Sequence, residues 1–197
     1  MTRTIYHIRH GQTDWNVAGR LQGAQDIPLN TTGRAQAEAN GAALAAHFAA
    51  VGRDPASLRW VSSPLCRARE TMERVRRAVG LSPHDHDTDR DLREVGYGIF
   101  EGMTHAEIEA ADPAAMDGLR HDKWHYRPPE GESYVMLAAR VARWWATTTG
   151  DMVIVSHGGT FRALRIAIED NRDPGLAVYY VPQDRIFRWQ DARGAWL

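Results

Sequence analysis

Ile5-Tyr6-His7-Ile8-Arg9-His10-Gly11-Gln12-Thr13 forms the first apolar run of the chain, and Met152-Val153-Ile154-Val155-Ser156-His157-Gly158-Gly159-Thr160 repeats its logic near the other end. Each reads as a buried strand that ends in a histidine and leaves through glycine into polar or helical chain. In an open α/β sheet, ligands bind at the carboxyl ends of parallel strands. Two imidazoles delivered there, one beside an arginine, suggest a phosphate site with a histidine nucleophile. Taken alone, two unrelated strand-end histidines fit equally well.

Outward from these two strands, the pattern predicts a strand over 4–9, a polar loop through Asp26-Ile27-Pro28-Leu29, and a helix over 33–49 capped near Asn30 to Thr32. A short strand over 58–63 stops at Pro64, a helix covers 65–79, and the polar stretch 84–91 is an edge strand or loop. Short helices are expected over 104–111 and 113–121, and Arg127-Pro128-Pro129-Glu130-Gly131 is a rigid connector. Glu132 or Ser133 then caps a helix to about 148, strand 152–156 precedes helix 160–169, and 176–181 with 185–190 resembles a closing hairpin. Strands alternating with helices imply an α/β fold, a three-layer α/β/α sandwich around a mostly parallel sheet. With no repeat, low-complexity tract or linker, residues 1–197 read as a single domain.

The 197 residues are 43% hydrophobic and 25% charged, as in ordinary globular proteins, and the formal net charge of −1 argues against nucleic acid or an anionic membrane held by bulk electrostatics. No apolar run approaches the roughly 20 residues a membrane span needs. Arg3, Arg9 and two histidines interrupt residues 1–10, which therefore do not read as a signal peptide. Cys66 is the only cysteine, so no intrachain disulfide is possible, and a cytoplasmic location is expected. Lys123 is the only lysine among 24 basic residues, which makes 23 of them arginine, so an isolated arginine carries little information.

Arg9-His10-Gly11 has the clearest chemical logic. Neutral imidazole attacks phosphorus, and a covalent intermediate divides one hard displacement into two easier ones. The Arg9 fork matches phosphate oxygens, and Gly11 would let backbone approach the anion. Ser62-Ser63-Pro64-Leu65-Cys66-Arg67-Ala68-Arg69-Glu70-Thr71 follows a strand and opens a helix whose N-terminus favours anions. Arg67 falls in that first turn, while Arg69 lies on another face and reads as solvated. Leu92-Arg93-Glu94-Val95-Gly96-Tyr97-Gly98-Ile99-Phe100-Glu101-Gly102 holds two carboxylates, either of which could protonate a leaving alkoxide.

Rival chemistries fit less well. A Cys66 phosphatase loop needs arginine at position 72, which is Met72. Asp85-His86-Asp87-Thr88 lacks a preceding apolar strand, and His84 to Asp87 reads as a solvated face rather than a metal site. His7 is expected to be a satisfied core histidine, and Trp144-Trp145 to pack a helix.

Together these segments resemble the histidine phosphatase superfamily, the phosphoglycerate mutase-like clan. Its signature is R-H-G near the start, S-S-x-L-x-R-A, an L-x-E-x-x-x-G-x-(W/F)-E-G loop and a late S-H-G-G. Arg9 to Gly11, Ser62 to Ala68, Leu92 to Gly102, and Ser156 to Gly159 match in order, and Leu29-Asn30-Thr31-Thr32-Gly33 resembles the family's opening helix. The resemblance covers about residues 4–166. It implies that His10 is the phosphate-accepting nucleophile, that Arg9, Arg67 and His157 clamp the phosphoryl oxygens, and that Glu94 is the proton donor with Glu101 structural. It also places Asn16, Gln22 and Gly23 in the pocket and gives Gly158 a backbone N–H to offer. Guanidiniums beside His10 disfavour its protonation, and an arriving phosphate dianion favours the protonated Glu94 that an acid requires.

The resemblance implies a phosphomonoester hydrolase that needs no cofactor and no metal, with a small phosphorylated metabolite as partner and a homodimer left open. The alternatives are phosphoglycerate mutase-type transfer and a catalytically idle binding protein. The family's mutases add a basic segment before the late histidine. Here residues 103–131 hold only Arg120, Lys123 and Arg127, with no adjacent basic pair, which favours the phosphatase. Met103, Trp124, Tyr126 and Arg127 are expected on the lid that selects the leaving group.

Overall fold

Along the chain run β1 (Thr4–Arg9), α1 (Asp14–Val17), α2 (Thr31–Val51), β2 (Arg59–Ser62), α3 (Cys66–Ala78), β3 (Asp87–Thr88), α4 (His105–Ala111), α5 (Pro113–His121), α6 (Tyr134–Ala146), β4 (Met152–Ser156), α7 (Gly158–Glu169), β5 (Ile186–Gln190) and β6 (Arg193–Trp196). This computed structural model describes residues 3–171, 173–191 and 193–197; Met1 and Thr2, the start of the N-terminal stretch read above, lie outside them.

The two histidine-ended strands sit side by side at the centre of the sheet, whose order is β3-β2-β4-β1-β5-β6. β1 to β4 run parallel, with Ile5 opposite Met152 and Arg9 opposite Ser156, while β5 and β6 are antiparallel additions at one edge. Successive strand residues point to opposite faces, so a centrally placed strand must be apolar on both. Tyr6, Ile8, Val153 and Val155 pack with Leu44 and Phe48 of α2 and Met72 and Val75 of α3. Ile5, Met152 and Ile154 pack with Leu137 and Val141 of α6 and Phe161 and Leu164 of α7. The result is the expected three-layer sandwich with a mostly parallel sheet. A buried ring such as Phe48, 2% exposed, is worth about 3–5 kcal/mol to such a core.

Caps follow the sequence cues. The Asn30 side chain accepts the Gly33 N–H (2.9 Å) at the start of α2, and Ser133 accepts the Met136 N–H (3.3 Å) at the start of α6. Two elements differ from expectation. Helix α7 begins at Gly158 rather than 160, directly after the strand exit. The closing hairpin is β5 with β6, and residues 174–178 form a 3-10 turn instead of a strand. The Asp173 side chain caps that turn through the Gly175 N–H (2.8 Å), and Asp191, at φ +52°, reverses the chain after β5.

Candidate active site

Parallel register brings the predicted residues to one end of the sheet. The His10 N–H donates to the Ser156 carbonyl (2.9 Å), and the Ser63 N–H donates to the Val155 carbonyl (3.0 Å). The exits of β1, β2 and β4 therefore lie side by side. A cavity of about 210 Å3 opens there, lined by Arg9, His10, Asn16, Gln22, Gly23, Arg67, Glu94 and Gly158 among others. His157 stands behind His10, with ring centroids 5.0 Å apart.

His10 is 3% exposed, and its Nδ1 lies 2.8 Å from the Gly11 carbonyl oxygen. A carbonyl only accepts, so Nδ1 carries the ring proton and Nε2 keeps the lone pair. Burial first, then Arg67 and Arg9, hold the imidazole well below the ordinary histidine range. His157 is depressed in the same way, by burial and then by Arg67 and His10. Its Nε2 lies 2.7 Å from the Ser63 hydroxyl, which itself accepts the Leu65 N–H at 3.4 Å. With Ser63 donating to Nε2, the His157 ring proton resides on Nδ1. That atom is buried and has no partner among the described residues.

The arginines show the same pattern. Arg67 is fully buried, with its two Nη groups donating to the carbonyls of Gln25 (2.6 Å) and Gly23 (3.0 Å). Arg9 donates to the Val181 carbonyl at 2.7 Å. The Nε groups of both are buried without a partner among the described residues, as is the Gln22 Oε1. Buried polar groups are nearly always hydrogen-bonded, and two guanidiniums with a buried unpartnered donor each, on residues lining one cavity, suit an anion. Asn16 accepts from the Thr13 N–H (3.1 Å) and from Gln183 (3.1 Å), which fixes its amide at the rim.

Glu94 closes the opposite wall. One oxygen accepts the Val95 N–H (2.9 Å) and the other the Gly159 N–H (3.1 Å), so the carboxylate caps the start of α7. A Cβ at Gly159 would lie 2.3 Å from Glu94 Oε1, so the second glycine of the late motif makes room for the acid. Gly11 is needed for a related reason: its Cβ would lie 2.1 Å from the Gly33 carbonyl. The backbone that approaches Gly11 is thus α2, not a bound anion as the sequence suggested. Glu101 is structural; its Oε1 accepts the N–H groups of Ala24 (2.9 Å) and Tyr97 (3.1 Å) and ties the Gly23 loop to the acid loop.

None of the four expected lid residues is among those lining the cavity. Trp124 packs edge-on against Tyr134 (5.7 Å), Arg127 donates to the Gly131 carbonyl (2.9 Å), and Met103 and Tyr126 join the small core around Phe100, Ile108 and Met116. Lys123 and His105, from the same segment, line the cavity instead, with Arg20, Tyr97 and Arg162. Arg162 could have been found from its place four residues after Gly158, on the same helix face. Lys123 was marked only by being the sole lysine.

The rivals are drawn apart. Burial, with Asp26 beside it, pushes the Cys66 thiol up to about 11, far from a thiolate at neutral pH. His84 faces Glu73 (3.4 Å) while Asp87 pairs with Arg59 (2.9 Å). His7 bonds the Ser156 hydroxyl at 2.7 Å, but its Nδ1 stays unpartnered among the described residues. Trp144 is buried in the α6 core, and Trp145 lies under the Arg3 guanidinium (3.7 Å). No described helix is long and apolar enough to cross a membrane.

Comparison with known proteins agrees with this geometry. The glucosyl-3-phosphoglycerate phosphatase of Mycobacterium tuberculosis is 37% identical over 179 residues, covering 84% of this chain and 75% of that protein. The 2,3-bisphosphoglycerate-dependent phosphoglycerate mutase of Methylobacterium radiotolerans is 32% identical over 193 residues, covering 94% and 86%. A solved structure of mycobacterial glucosyl-3-phosphoglycerate phosphatase with VO3 superposes with a TM-score of 0.76 at 33% identity, covering 94% of this chain and 92% of that one. The family model described as histidine phosphatase superfamily (branch 1) matches residues 5–177, which include every residue of the cavity wall named above, and the chain belongs to that superfamily.

Proposed function

We propose that this chain is a phosphomonoester hydrolase that works through a phosphohistidine on His10. The observation that carries the reading is the free, unprotonated Nε2 of His10 in a cavity lined by Arg9, Arg67 and Glu94 and backed by His157. Nε2 attacks phosphorus, and the P–O bond to the leaving group breaks with its electron pair going to oxygen, which takes a proton from Glu94. Water then attacks the phosphohistidine, Glu94 takes its proton back, and the P–N bond returns its pair to Nε2. The guanidiniums and the His157 N–H hold the charge that shifts onto the equatorial oxygens, and they do so without reorganising. Asn16 and Gln22 position the oxygens at the rim, while Gly158 lies between Arg9 and Arg162.

A phosphatase is favoured over a mutase because the segment 103–131 holds only Arg120, Lys123 and Arg127 as bases, with no two of them adjacent. The relatives named glucosyl-3-phosphoglycerate phosphatases support a small phosphorylated metabolite as substrate. The enzyme acts as one domain, in the cytoplasm, where the lone Cys66 stays reduced.

The test is a screen of phosphomonoesters with phosphoglycerate mutase activity assayed alongside, in wild type and His10→Ala. Hydrolysis should vanish in His10→Ala, and acid-labile, base-stable phosphate should be trapped on the wild type only. Activity within tenfold of wild type in the variant would overturn the mechanism. Hydrolysis should also survive chelators, since fixed cations supply the charge; loss in EDTA restored by a divalent ion would assign a metal instead.

A further inference from the structure

A general acid must be held in place, yet the chain that carries Glu94 has no regular structure. Residues 93–97 belong to no helix or strand, and single 3-10 turns over 90–92 and 98–100 flank them. The first turn of α7 fixes the carboxylate, which leaves the backbone behind it to be fixed by other means. Side chains do this. Arg140, on α6 and 8% exposed, donates from Nη1 to the carbonyls of Asp91 (2.6 Å) and Arg93 (3.2 Å), and from Nη2 to that of Glu94 (3.4 Å). Its Nε and Nη2 also meet the two oxygens of Glu132, at 3.0 and 2.8 Å. A guanidinium has five N–H donors, and these contacts occupy all of them. Glu132 extends the grip past the acid: its Oε2 accepts the Gly96 N–H (3.2 Å), and its own N–H donates to the Gly96 carbonyl (2.8 Å).

The pair differs in kind from the phosphoryl clamp. Arg9 and Arg67 each keep a buried donor without a partner among the described residues, whereas Arg140 keeps none. Neither Arg140 nor Glu132 is among the described residues lining the cavity, so the pair acts on the loop and not on a ligand. Stability gives no sufficient reason for it, since apolar packing can replace a buried ion pair without loss. Apolar side chains could not, however, satisfy the carbonyls of an irregular segment. Burial opposes ionisation of Glu132, but the bonds from Arg140 outweigh it and hold the carboxyl below its ordinary range, so the pair stays charged at neutral pH. The grip also shares a frame with the N–H that aims the acid. Leu137, one turn before Arg140 on the same face of α6, lies 3.2 Å from the point a Gly159 Cβ would occupy. Leu137 and Val141 of α6 pack with Phe161 and Leu164 of α7 in one core.

We propose that Arg140 and Glu132 are positioning residues for proton transfer: the pair clasps the acid-loop backbone on both sides of Glu94 and so keeps its carboxyl within reach of the leaving oxygen. The proposal rests on the hydrolase reading above and extends it to two residues outside the cavity.

The experiment compares phenyl phosphate with p-nitrophenyl phosphate, which share the ring and differ in how much the departing oxygen needs a proton. The measured quantity is the ratio of their kcat/KM values, nitrophenyl over phenyl, which reports transfer to His10. Arg140→Met combined with Glu132→Met removes both charges together and leaves neither buried alone. In that double variant the ratio should rise, by up to about 100-fold, the cost of misplacing a reacting group by about 1 Å. Arg140→Lys keeps the charge but offers one point in place of the fork, and should raise the ratio by less; it decides the matter if the double variant does not fold. Amide hydrogen exchange should quicken over residues 91–97 in both variants while β1 and β4 stay protected. Equal losses on both esters, or faster exchange with an unchanged ratio, would reduce the pair to a structural brace and overturn the proposal. A raised ratio without faster exchange would overturn it as well, because the loop would not be what the pair holds. His10→Ala separates the two readings. If hydrolysis of p-nitrophenyl phosphate by the wild type does not depend on His10, the hydrolase reading itself fails; if it does and the ratio stays flat in the variants, only the positioning role fails.

Discussion

The two walls of the cavity are built by different means. The phosphoryl wall stands on the ends of β1, β2 and β4, where neighbouring strands set each backbone and His10, Arg67 and His157 are at most 3% exposed. The leaving-group wall stands on the acid loop, α4 and the turn after α5, over a separate small core of Phe100, Ile108, Ala115 and Met116. Sheet register fixes the backbone of the first wall from neighbouring strands, as positioned chemistry requires. The second is a satellite that can change its contacts without disturbing the sheet, as substrate choice requires. Glu94 joins the two, since it sits on the acid loop but is aimed by the first turn of α7.

The largest expected break in this comparison comes at that junction. Glu94→Gln should slow alkyl phosphates by roughly 100- to 10,000-fold, the range for loss of a general acid. p-Nitrophenyl phosphate should be slowed far less, because its phenolate leaves without a proton. Glu101→Gln loosens the Gly23 loop and should show no such dependence on leaving group, with any defect following thermal stability. The selective pattern appearing in Glu101→Gln would mean the acid had been assigned to the wrong carboxylate.

A subtler break leaves the acid in place and moves it. Gly159→Ala puts a methyl 2.3 Å from Glu94 Oε1 and should displace the carboxylate. Misplacement by about 1 Å costs on the order of 100-fold, so alkyl esters should suffer by about that factor while p-nitrophenyl phosphate is largely spared. Equal losses on both substrates would show that the methyl disturbs the clamp rather than the acid.

The smallest effect sharpens the contrast in burial. His7 is held at about 3 by burial, and His10 and His157 are depressed by burial and the arginines. The unfolded chain protonates histidine near 6.5, so below that pH it binds protons the folded state refuses. The stabilisation is complete above about pH 6.5 and is lost as pH falls. The free energy of unfolding should therefore drop from pH 7 to pH 5, by up to about 1.4 kcal/mol per pH unit for each histidine. Urea titrations should show a shallower slope in His10→Asn and in His157→Asn. A slope that matches wild type in both would mean that these rings are not kept neutral by the fold.

What the sequence determined by itself was local in origin. The apolar runs ended by His10 and His157, the caps at Asn30 and Ser133, and the strand-to-helix step before Arg67 each rest on residues a few positions apart. Those patterns were enough for the layered sheet, while the nine residues expected at the site came from the family resemblance that the motifs carry in order. Eight of them line the cavity and His157 backs it. The tertiary structure alone decided the rest, because each remaining contact joins distant segments. Glu94 meets Gly159 across 65 positions, His157 meets Ser63 across 94, and Lys123 and Arg162 come together on Tyr134. The closing hairpin slipped toward the C-terminus for the same kind of reason: the apolar runs of residues 176–181 and 185–190 look alike in sequence, and only pairing with β1 selects the second. Periodicity and capping are written in neighbouring residues, whereas the aim of an acid or the neighbour of a lone lysine depends on which surfaces the folded layers bring face to face.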